Sequence, residues 1–209
     1  MFIKCLKVGQ FATNCYILCD KITNKAAIID PGYDAVRIAS ALEDTECTAE
    51  YIILTHAHFD HISAVHELKR KTGAKLAVFE SELPLLNDPK GNLCSMFENG
   101  TFEPFAPEIL LHDGDIIRLG KLELIVLHTP GHTSGSCCII CQDSIFTGDT
   151  LFKEDVGRTD LPTAEPAALK SSVRRLAMID GEYQVFPGHG EITTMSHERQ
   201  FNPYITSKD

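Results

Sequence analysis

Short runs of apolar and β-branched residues recur along the chain, and most of them end in turn residues such as glycine, proline or aspartate. Runs of this length with such ends predict β-strands. The eight clearest are FIKCLKV, NCYILC, AAIID, YIILT, KLAVF, LELIVLHT, SCCIIC and SIFTGD. They fall mainly into two groups, residues 1–54 and residues 109–150, so the pattern predicts two sheets.

Apolar residues also recur at the spacing of one helix face in two segments, residues 60–73 and residues 165–180. Gly73 predicts the end of the first helix and Pro166 the start of the second, since glycine often follows a helix and proline fits its first turn. The inward faces consist of Ile62, Val65 and Leu68 in the first helix, and of Leu169, Val173, Leu176 and Ala177 in the second. Each helix therefore follows one group of strands.

The order of these elements predicts an α/β fold in which two sheets pack together with helices outside them. A chain of 209 residues with 44% hydrophobic residues can bury a core of this kind, so we expect residues 1–209 to form one domain. Residues 87–107 contain three prolines and three phenylalanines without a period. This segment predicts a long surface loop, and such loops are often functional.

The bulk properties exclude several classes of protein. The formal net charge of −10 argues against a nucleic-acid partner, which usually requires a basic surface. The opening residues MFIKCLKVGQ lack the apolar core of a signal peptide, and no apolar run approaches the roughly 20 residues that span a bilayer. We therefore expect a cytoplasmic protein with no membrane partner, and the sequence leaves its oligomeric state open.

Eight cysteines raise the question of disulfides or of a cysteine metal site. Six of them lie in strand-like segments, namely Cys5, Cys15, Cys19, Cys137, Cys138 and Cys141. Cys138 and Cys141 match the C-x-x-C spacing, but residues three apart in a strand face opposite sides of the sheet. A thiol in this setting packs as a small apolar side chain, so we expect free thiols in the core.

One short segment, THAHFDH at residues 55–61, carries three histidines and an aspartate directly behind the apolar run YIIL. Residues two apart in an extended chain point the same way, so His56 and His58 can converge on one cation. Asp60 and His61 begin the predicted helix, point elsewhere and can hold a second cation beside the first. Alone, Asp60 would fit a helix N-cap and each histidine a solvated side chain. Their combined spacing predicts metal binding, because imidazole and carboxylate are usual zinc ligands.

Three later strands also end in turns that present a ligand-type side chain. The segment LHTPGHTSGS presents His132, SIFTGDTLF presents Asp149, and YQVFPGHGE presents His189. Both cations need further ligands besides those in THAHFDH. We therefore expect these three side chains to join the same site.

Together the motifs NCY, DPG, THAHFDH, TPGHTSGS, FTGDTLF, GRTDL and FPGHGE resemble the metallo-β-lactamase-fold hydrolase superfamily, and within it the small glyoxalase II-like group. The resemblance covers nearly the whole chain and implies an αββα sandwich of two mixed β-sheets with the site at one edge. It implies one metal held by His56, His58 and His132, a second held by Asp60, His61 and His189, and a bridge between them from Asp149. The two divalent ions would be zinc, with iron or manganese as alternatives.

The resemblance also implies a reaction. Glyoxalase II (hydroxyacylglutathione hydrolase) cleaves a thioester with a hydroxide that lies between two metals, and Asp60 would orient this hydroxide as well as bind metal. Two divalent ions, two aspartates and one hydroxide leave a positive centre, which suits attack by water on a carbonyl. The expected partner is a small anionic substrate.

The chain departs from glyoxalase II in two places. Only twenty residues follow His189, too few for the helical C-terminal domain that contributes to glutathione binding there, and TLFKEDVGRTDLP replaces a loop that carries lysine and tyrosine. Within this loop Arg158 could orient an anionic substrate through its planar guanidinium. It could equally form a structural salt bridge with a neighbour such as Asp160. The sequence leaves both roles open.

The GRTD loop is shared with persulfide dioxygenases, which implies an alternative function. In that family a single iron is held by the residues matching His56, His132 and Asp149, a two-histidine, one-carboxylate arrangement. The complete ligand set disfavours a metal-binding module without catalysis. Class B β-lactamases usually have cysteine at the position of Asp149, and RNA-processing relatives carry basic arms, so neither activity is expected.

Overall fold

The first sheet takes up the N-terminal half of the chain. A computed structural model describes residues 1–97 and 102–207. The strands of this sheet are β1 (Phe2–Val8), β2 (Thr13–Asp20), β3 (Lys25–Ile29), β4 (Thr48–Ile53), β5 (Lys75–Phe79) and β6 (Ile109–Leu111). They lie side by side in chain order, antiparallel from β1 to β3 and parallel from β3 to β6.

The second sheet takes up the C-terminal half. The strands that follow β6 are β7 (Ile116–Leu119), β8 (Leu122–His128), β9 (Cys137–Cys141), β10 (Ser144–Gly148), β11 (Leu151–Phe152), β12 (Asp155–Val156), β13 (Gln184–Pro187) and β14 (Thr193–Thr194). Of these, β11 and β12 form a separate two-stranded ribbon, and the other six form the second sheet. The order across the sheet is β14-β13-β10-β9-β8-β7. Only β10 and β13 pair in parallel among these strands, so this sheet is also mixed.

Helices lie outside both sheets. They are α1 (Ala35–Glu43), α2 (Phe59–Ile62), α3 (Val65–Thr72), α4 (Leu83–Leu86), α5 (Cys94–Phe97), α6 (Pro166–Ala177), α7 (Met195–Phe201) and α8 (Pro203–Thr206). A 3-10 turn, Glu80–Glu82, follows β5. Proline occupies the first turn of α6, and Gly73 ends α3 in the left-handed conformation, both as predicted.

Three apolar clusters define the layers. One lies between the two sheets and includes Leu18, Ile53 and Val126. Another joins the outer face of the first sheet to α1 and α3, and a third joins the outer face of the second sheet to α6. Successive side chains of a strand point to opposite faces of its sheet, so each sheet packs against the other sheet on one face and against helices on the other. The chain therefore forms the expected αββα sandwich.

The structure corrects two sequence-based boundaries. Residues 109–111 form β6 of the first sheet, whereas the sequence grouped them with the second. The helix predicted over residues 60–73 is split into α2 and α3. In a continuous helix the Ala64 N–H would donate to Asp60, but it donates to the carbonyl of Pro31 at 3.0 Å. The break leaves Asp60 and His61 on a short helix of their own.

The cysteines and the long loop follow the prediction with exceptions. None of the eight cysteines, all of which lie within the described residues, forms a disulfide, and Cys138 and Cys141 lie in different apolar clusters on opposite faces of the second sheet. Cys5 is exposed, against expectation, because its strand lies at a sheet edge. Within the predicted loop 87–107 the structure forms α5, and residues 98–101 lie outside the described part. Among the described residues, no helix has the length and apolar character needed to cross a bilayer.

Candidate metal centre

Ligand-type side chains collect where several strands end at one edge of the sandwich. The segment after β4 carries His56 and His58, and α2 follows at once. The turns after β8, β10 and β13 carry His132, Asp149 and His189. The structure thus brings together the seven side chains that the sequence singled out, from both halves of the chain.

The first group consists of His56, His58 and His132. One ring nitrogen of each lies within 4.8 Å of those of the other two, and all three residues are buried. His58 Nδ1 and His132 Nε2 are 2.9 Å apart. The backbone at His58 is extended, as predicted, and the rings of His56 and His58 lie on the same side of the chain, with their centroids 4.9 Å apart.

The second group consists of Asp60, His61 and His189, whose ligand atoms also lie within 4.8 Å of one another. Asp60 Oδ2 is 3.2 Å from His189 Nε2, and the Nε2 atoms of the two histidines are 3.3 Å apart. His189 is the most exposed of the three, with 27% of its side chain accessible. The centre therefore opens to solvent on the side of His189.

Asp149 lies between the two groups. Its Oδ1 is 3.5 Å from His61 Nε2, and its Oδ2 is 3.6 Å from both His132 Nε2 and His189 Nε2. One carboxylate thus faces ring nitrogens of each group, which is the position that a bridging ligand requires.

Hydrogen bonds behind the rings set which nitrogen faces the centre. His132 Nδ1 donates to the Arg158 carbonyl at 2.9 Å, and His189 Nδ1 donates to the Phe11 carbonyl at 3.2 Å. When these rings are neutral, both Nε2 atoms therefore keep their lone pairs on the side of the centre. Such outer partners fix the orientation and the tautomer of a metal-binding histidine.

Asp30, at the end of β3, orients two more rings. Its Oδ2 accepts from His61 Nδ1 at 3.0 Å and from the Thr55 hydroxyl at 2.6 Å. Because that hydroxyl donates to Asp30, its lone pair can accept from His56 Nδ1 at 3.2 Å. Asp30 thereby directs Nε2 of both His61 and His56 toward the centre.

The protonation states of the two groups differ. Burial, with the neighbouring His132, lowers the pKa of His58 to about 3, and burial lowers that of His56 well below its ordinary value. Burial acts in the same direction on His61, but the carboxylates of Asp149, Asp60 and Asp30 outweigh it and raise the pKa to about 10. The metal-free protein therefore holds neutral rings at His56 and His58 and an imidazolium at His61.

Asp60 is an ionised carboxylate. Burial would raise its pKa, but His61 and His189 hold the pKa well below the usual range. The Thr13 hydroxyl donates to its Oδ2 at 3.0 Å. The carboxylate is therefore fixed in position and free of protons, as a ligand or proton acceptor must be.

The donor set fits divalent metal ions. Within the described part of the chain, His56 Nε2 and Asp149 Oδ1 are buried and have no hydrogen-bond partner. Unsatisfied buried polar atoms are costly, and a cation among them would remove that cost. Imidazole and carboxylate donors of this kind suit zinc and also iron. The cluster is therefore a metal-binding site of histidine and aspartate.

Sequence reasoning assigned no role to two buried carboxylates, Asp30 and Glu82. Glu82, in the turn after β5, accepts from the Ala57 N–H at 2.8 Å. Burial raises its pKa to about 7, although three donors act in the opposite direction. The sequence contains one local signal for a role of these residues at the site: each acidic residue comes after a buried strand, as Asp30 does within the motif DPG.

The remaining candidates lie apart from the cluster. The guanidinium of Arg158 forms two hydrogen bonds with the Asp160 carboxylate, at 2.6 and 2.7 Å, so the structural salt bridge is formed. The same loop lines a cavity of about 590 Å³ beside α6 and α8, to which Lys170 also contributes. The histidines outside the motifs, His66, His112, His128 and His197, contact residues away from the centre.

These features agree with the comparisons. The family model of the metallo-beta-lactamase superfamily matches residues 8–189, and the chain belongs to this superfamily. A curated relative, hydroxyacylglutathione hydrolase GloC of Haemophilus influenzae, is 32% identical over 212 residues and is covered completely, as is this chain.

Solved structures of the same fold include two with 32% identity. The BLEG-1 B3 metallo-beta-lactamase superposes with a TM-score of 0.91 over 99% of this chain and 100% of its own. TTHA1623, in a di-iron-bound form, superposes with a TM-score of 0.84 over 96% of this chain and 99% of its own. The family therefore includes a neighbour with two metal ions, described as iron in that protein.

Proposed function

We propose that this protein is a binuclear metal hydrolase that cleaves a thioester, in the manner of a hydroxyacylglutathione hydrolase. The observation that carries the proposal is the position of Asp149. Its two oxygens lie 3.5 Å from His61 Nε2 and 3.6 Å from His132 Nε2, between two groups of three ligands. A carboxylate in that position suits two adjacent ions better than one.

In this proposal every side chain of the cluster has a ligand role. The first ion is held by His56, His58 and His132, the second by Asp60, His61 and His189, and Asp149 binds both. The ions are zinc, or iron or manganese, and the di-iron neighbour supports the count of two. Elemental analysis of protein purified without added metal should give about two ions per chain. A single tightly held iron would contradict the count.

Two ions bound there would acidify a water molecule and polarise a carbonyl oxygen, which is the chemistry of hydrolytic metal centres. Asp60 supplies the protein's part of that step. Its ionised Oδ2, held by Thr13, would accept a hydrogen bond from the attacking hydroxide and orient it toward the carbonyl carbon. The neutral rings of His56 and His58 can each offer a nitrogen lone pair to the centre without first losing a proton.

A thioester fits the centre for two reasons. A thiolate leaves without much protonation, so the reaction does not depend on a strong side-chain acid. The open side of the centre also has two aromatic neighbours that can contact an apolar acyl or thiol group, since the Phe152 ring lies 6.2 Å from the His189 imidazole and Phe11, whose carbonyl binds His189, has an exposed side chain. The name of the GloC relative supports the same substrate class.

The substrate is proposed to be small and anionic. Arg158 and Lys170 line the cavity beside the GRTD loop, and the Arg158 carbonyl holds His132. A negative group of the substrate in that cavity would thus contact the same residue, Arg158, whose backbone carbonyl orients the proposed ligand His132. Residues 87–107 are proposed as a border of the substrate pocket.

A substrate panel tests the proposal. Metal-loaded protein is mixed with S-D-lactoylglutathione, with simpler thioesters, with a lactone and with a β-lactam, the last because a neighbour is named as a lactamase. We expect thioester hydrolysis with a high KM for the glutathione substrate. Hydrolysis of none of them, with oxygen uptake by the iron form on glutathione persulfide, would instead favour the dioxygenase.

A further inference from the structure

Glu82 is a buried acidic side chain that belongs to neither group of ligands, and none of its surface is exposed. We propose that Glu82 is a positioning residue that holds the two ligand-bearing loops of the first ion at their working separation. This inference rests on the proposed metal centre. It concerns the ion held by His56, His58 and His132.

The geometry is that of one carboxylate between two loops. Oε1 accepts the backbone N–H of Ala57, the residue between His56 and His58, at 2.8 Å. Oε2 accepts the Thr133 hydroxyl at 2.9 Å and the Gly135 N–H at 2.8 Å, both in the turn after His132. The two loops are far apart in the chain, and Glu82 joins them directly.

The packing leaves little freedom around this contact. A Cβ at Gly135 would lie 2.6 Å from Oε2 of Glu82 and 2.3 Å from its backbone nitrogen, so the close approach requires glycine. The Ser136 hydroxyl extends the network, with its oxygen 2.7 Å from that of Thr133. Movement of the carboxylate would therefore move the His132 loop with it.

Strand order explains why this residue can reach both loops. Strands β3, β4 and β5 lie side by side and parallel, so their carboxyl ends meet at one edge. The loop after β4 carries the HAHFDH ligands. Asp30 follows β3 on one side and binds His61, while Glu82 follows β5 on the other side and binds Ala57. The ligand loop thus has a buried carboxylate on each side, and Glu82 is the one that also reaches the His132 loop.

A carboxylate can do what an amide cannot in this position. Both oxygens of Glu82 accept, and together they receive two backbone N–H groups and a hydroxyl. In Glu82→Gln one oxygen becomes an NH2 group, which would face either the Ala57 N–H or the Gly135 N–H as donor against donor. One loop is then released, although the volume of the side chain is unchanged.

The test measures zinc affinity in proteins that keep one ion at a time. His61→Ala removes a ligand of the second ion, and His58→Ala removes a ligand of the first. Glu82→Gln is added to each, and zinc is titrated against a chromophoric chelator. We expect Glu82→Gln to weaken zinc binding about 10–100-fold in the His61→Ala protein, the usual effect of losing an outer partner. In the His58→Ala protein we expect no change.

Glu80→Gln is the matched control. Glu80 lies in the same 3-10 turn, is exposed and pairs with His112 at 3.2 Å. The same chemical change at that position should leave both affinities as they are. A general effect of the substitution on the turn would appear in both variants, whereas a positioning role appears only in the Glu82 variant.

Equal weakening of both ions by Glu82→Gln, or no weakening of the first, would overturn the proposal. If that variant fails to fold by circular dichroism, Thr133→Val decides the matter, because it removes one donor to Oε2 and keeps the shape. It should weaken the first ion alone, by a smaller factor. Zinc affinities are independent of turnover, so failure of the wild-type protein to hydrolyse thioesters would reject the proposed function and leave this test valid.

Discussion

The Nδ1 atom of His58 and the Nε2 atom of His132 lie 2.9 Å apart, although 74 residues separate the two histidines in the chain. The His132 Nδ1–H is already donated to the Arg158 carbonyl, so Nε2 of this ring is an acceptor when the ring is neutral. Two ring nitrogens this close, one from each half of the chain, face a common point. This contact connects the ligands of the first group that come from the N-terminal half of the chain to the one that comes from the C-terminal half.

The two ions should respond differently to pH. His61 carries a proton below about pH 10 in the metal-free protein, and an ion can bind its Nε2 only after that proton leaves. The second ion should therefore bind more tightly as pH rises from 6.5 to 8.5, by about tenfold per pH unit for one displaced proton. Chelator competition on the His58→Ala protein, which keeps the second group, measures this slope.

The first ion provides the contrast. The pKa of His58 is held at about 3, so its ring is already neutral throughout that pH range. In the His61→Ala protein the zinc affinity should therefore rise less steeply between pH 6.5 and 8.5 than in the His58→Ala protein. Equal slopes in the two proteins would show that His61 does not hold the displaced proton.

Replacement of Asp149 should cost both ions. In Asp149→Ala neither group keeps the carboxylate that faces its ring nitrogens, so metal content should fall well below one ion per chain. Hydrolysis should fall by several orders of magnitude. The control is His66→Ala, which removes a histidine that donates to the Glu103 carbonyl outside the centre. Similar metal loss in both variants would refute the ligand assignment.

Gly188, next to His189, should be intolerant of even one methyl group. A Cβ there would lie 2.2 Å from Asp149 Oδ1 and 2.8 Å from His61 Cε1, so Gly188→Ala displaces two proposed ligands without replacing either. We expect metal affinity to fall by about 10–100-fold, as for other losses of ligand orientation. Metal analysis after dialysis measures the change.

A second alanine variant separates this clash from the general effect of losing a glycine. Gly73 has φ +72° and open space around its Cβ position. Gly73→Ala should cost about 1 kcal/mol in the free energy of unfolding and leave metal content unchanged. Metal loss in this variant too would mean that the Gly188 result reflects destabilisation rather than contact with the ligands.

Arg158 offers a test of the anionic substrate. Its guanidinium is held by Asp160, and both side chains are largely exposed. If Arg158 also binds the substrate, Asp160→Asn should lower the KM, because this change releases the guanidinium. Arg158→Ala should raise the KM. The kcat should change little in either variant. Steady-state kinetics on the best thioester of the panel decides this. Unchanged KM in both variants would leave Arg158 with its structural role alone.

The thiols should differ sharply in reactivity. Burial raises the pKa of Cys138 to about 12, that of Cys141 to about 11 and also that of Cys5, but Cys5 is the one exposed thiol among the eight. Because the thiolate is the reactive form, a chromogenic thiol reagent at pH 8 should modify about one cysteine quickly in the native protein. All eight should react after denaturation. Fast reaction of several thiols in the native state would contradict the packing of the second sheet.

Much of the architecture could be predicted from local patterns. Alternating apolar positions identify the strands and their buried faces, so that Cys138 and Cys141 were correctly expected on opposite sides of one sheet. The fold class is confirmed. The ligand set is read from strand ends, because a side chain in a turn after a buried strand is presented at the sheet edge. The roles of the individual ligands stay predictions.

Other features depend on which strands become neighbours, and local patterns do not contain that information. Strand β6 completes the first sheet because it pairs with β5, although it follows the long loop. Asp30 and Glu82 meet the ligand loop only because β3 and β5 lie on either side of β4. The helix break before α3 likewise depends on a distant acceptor, the carbonyl of Pro31.

Each ion in the proposed centre would be a cross-link between the two layers of the sandwich. The first ion would join His56 and His58 of one half to His132 of the other, and the second would join Asp60 and His61 to His189. Neither half of the chain alone can complete either coordination shell. Bound metal would therefore add to the docking of the sheets, by about 2.7 kcal/mol per ion when free metal exceeds its Kd a hundredfold. Ions that would activate water would then also strengthen the contact between the two layers, in addition to the apolar cluster between the sheets.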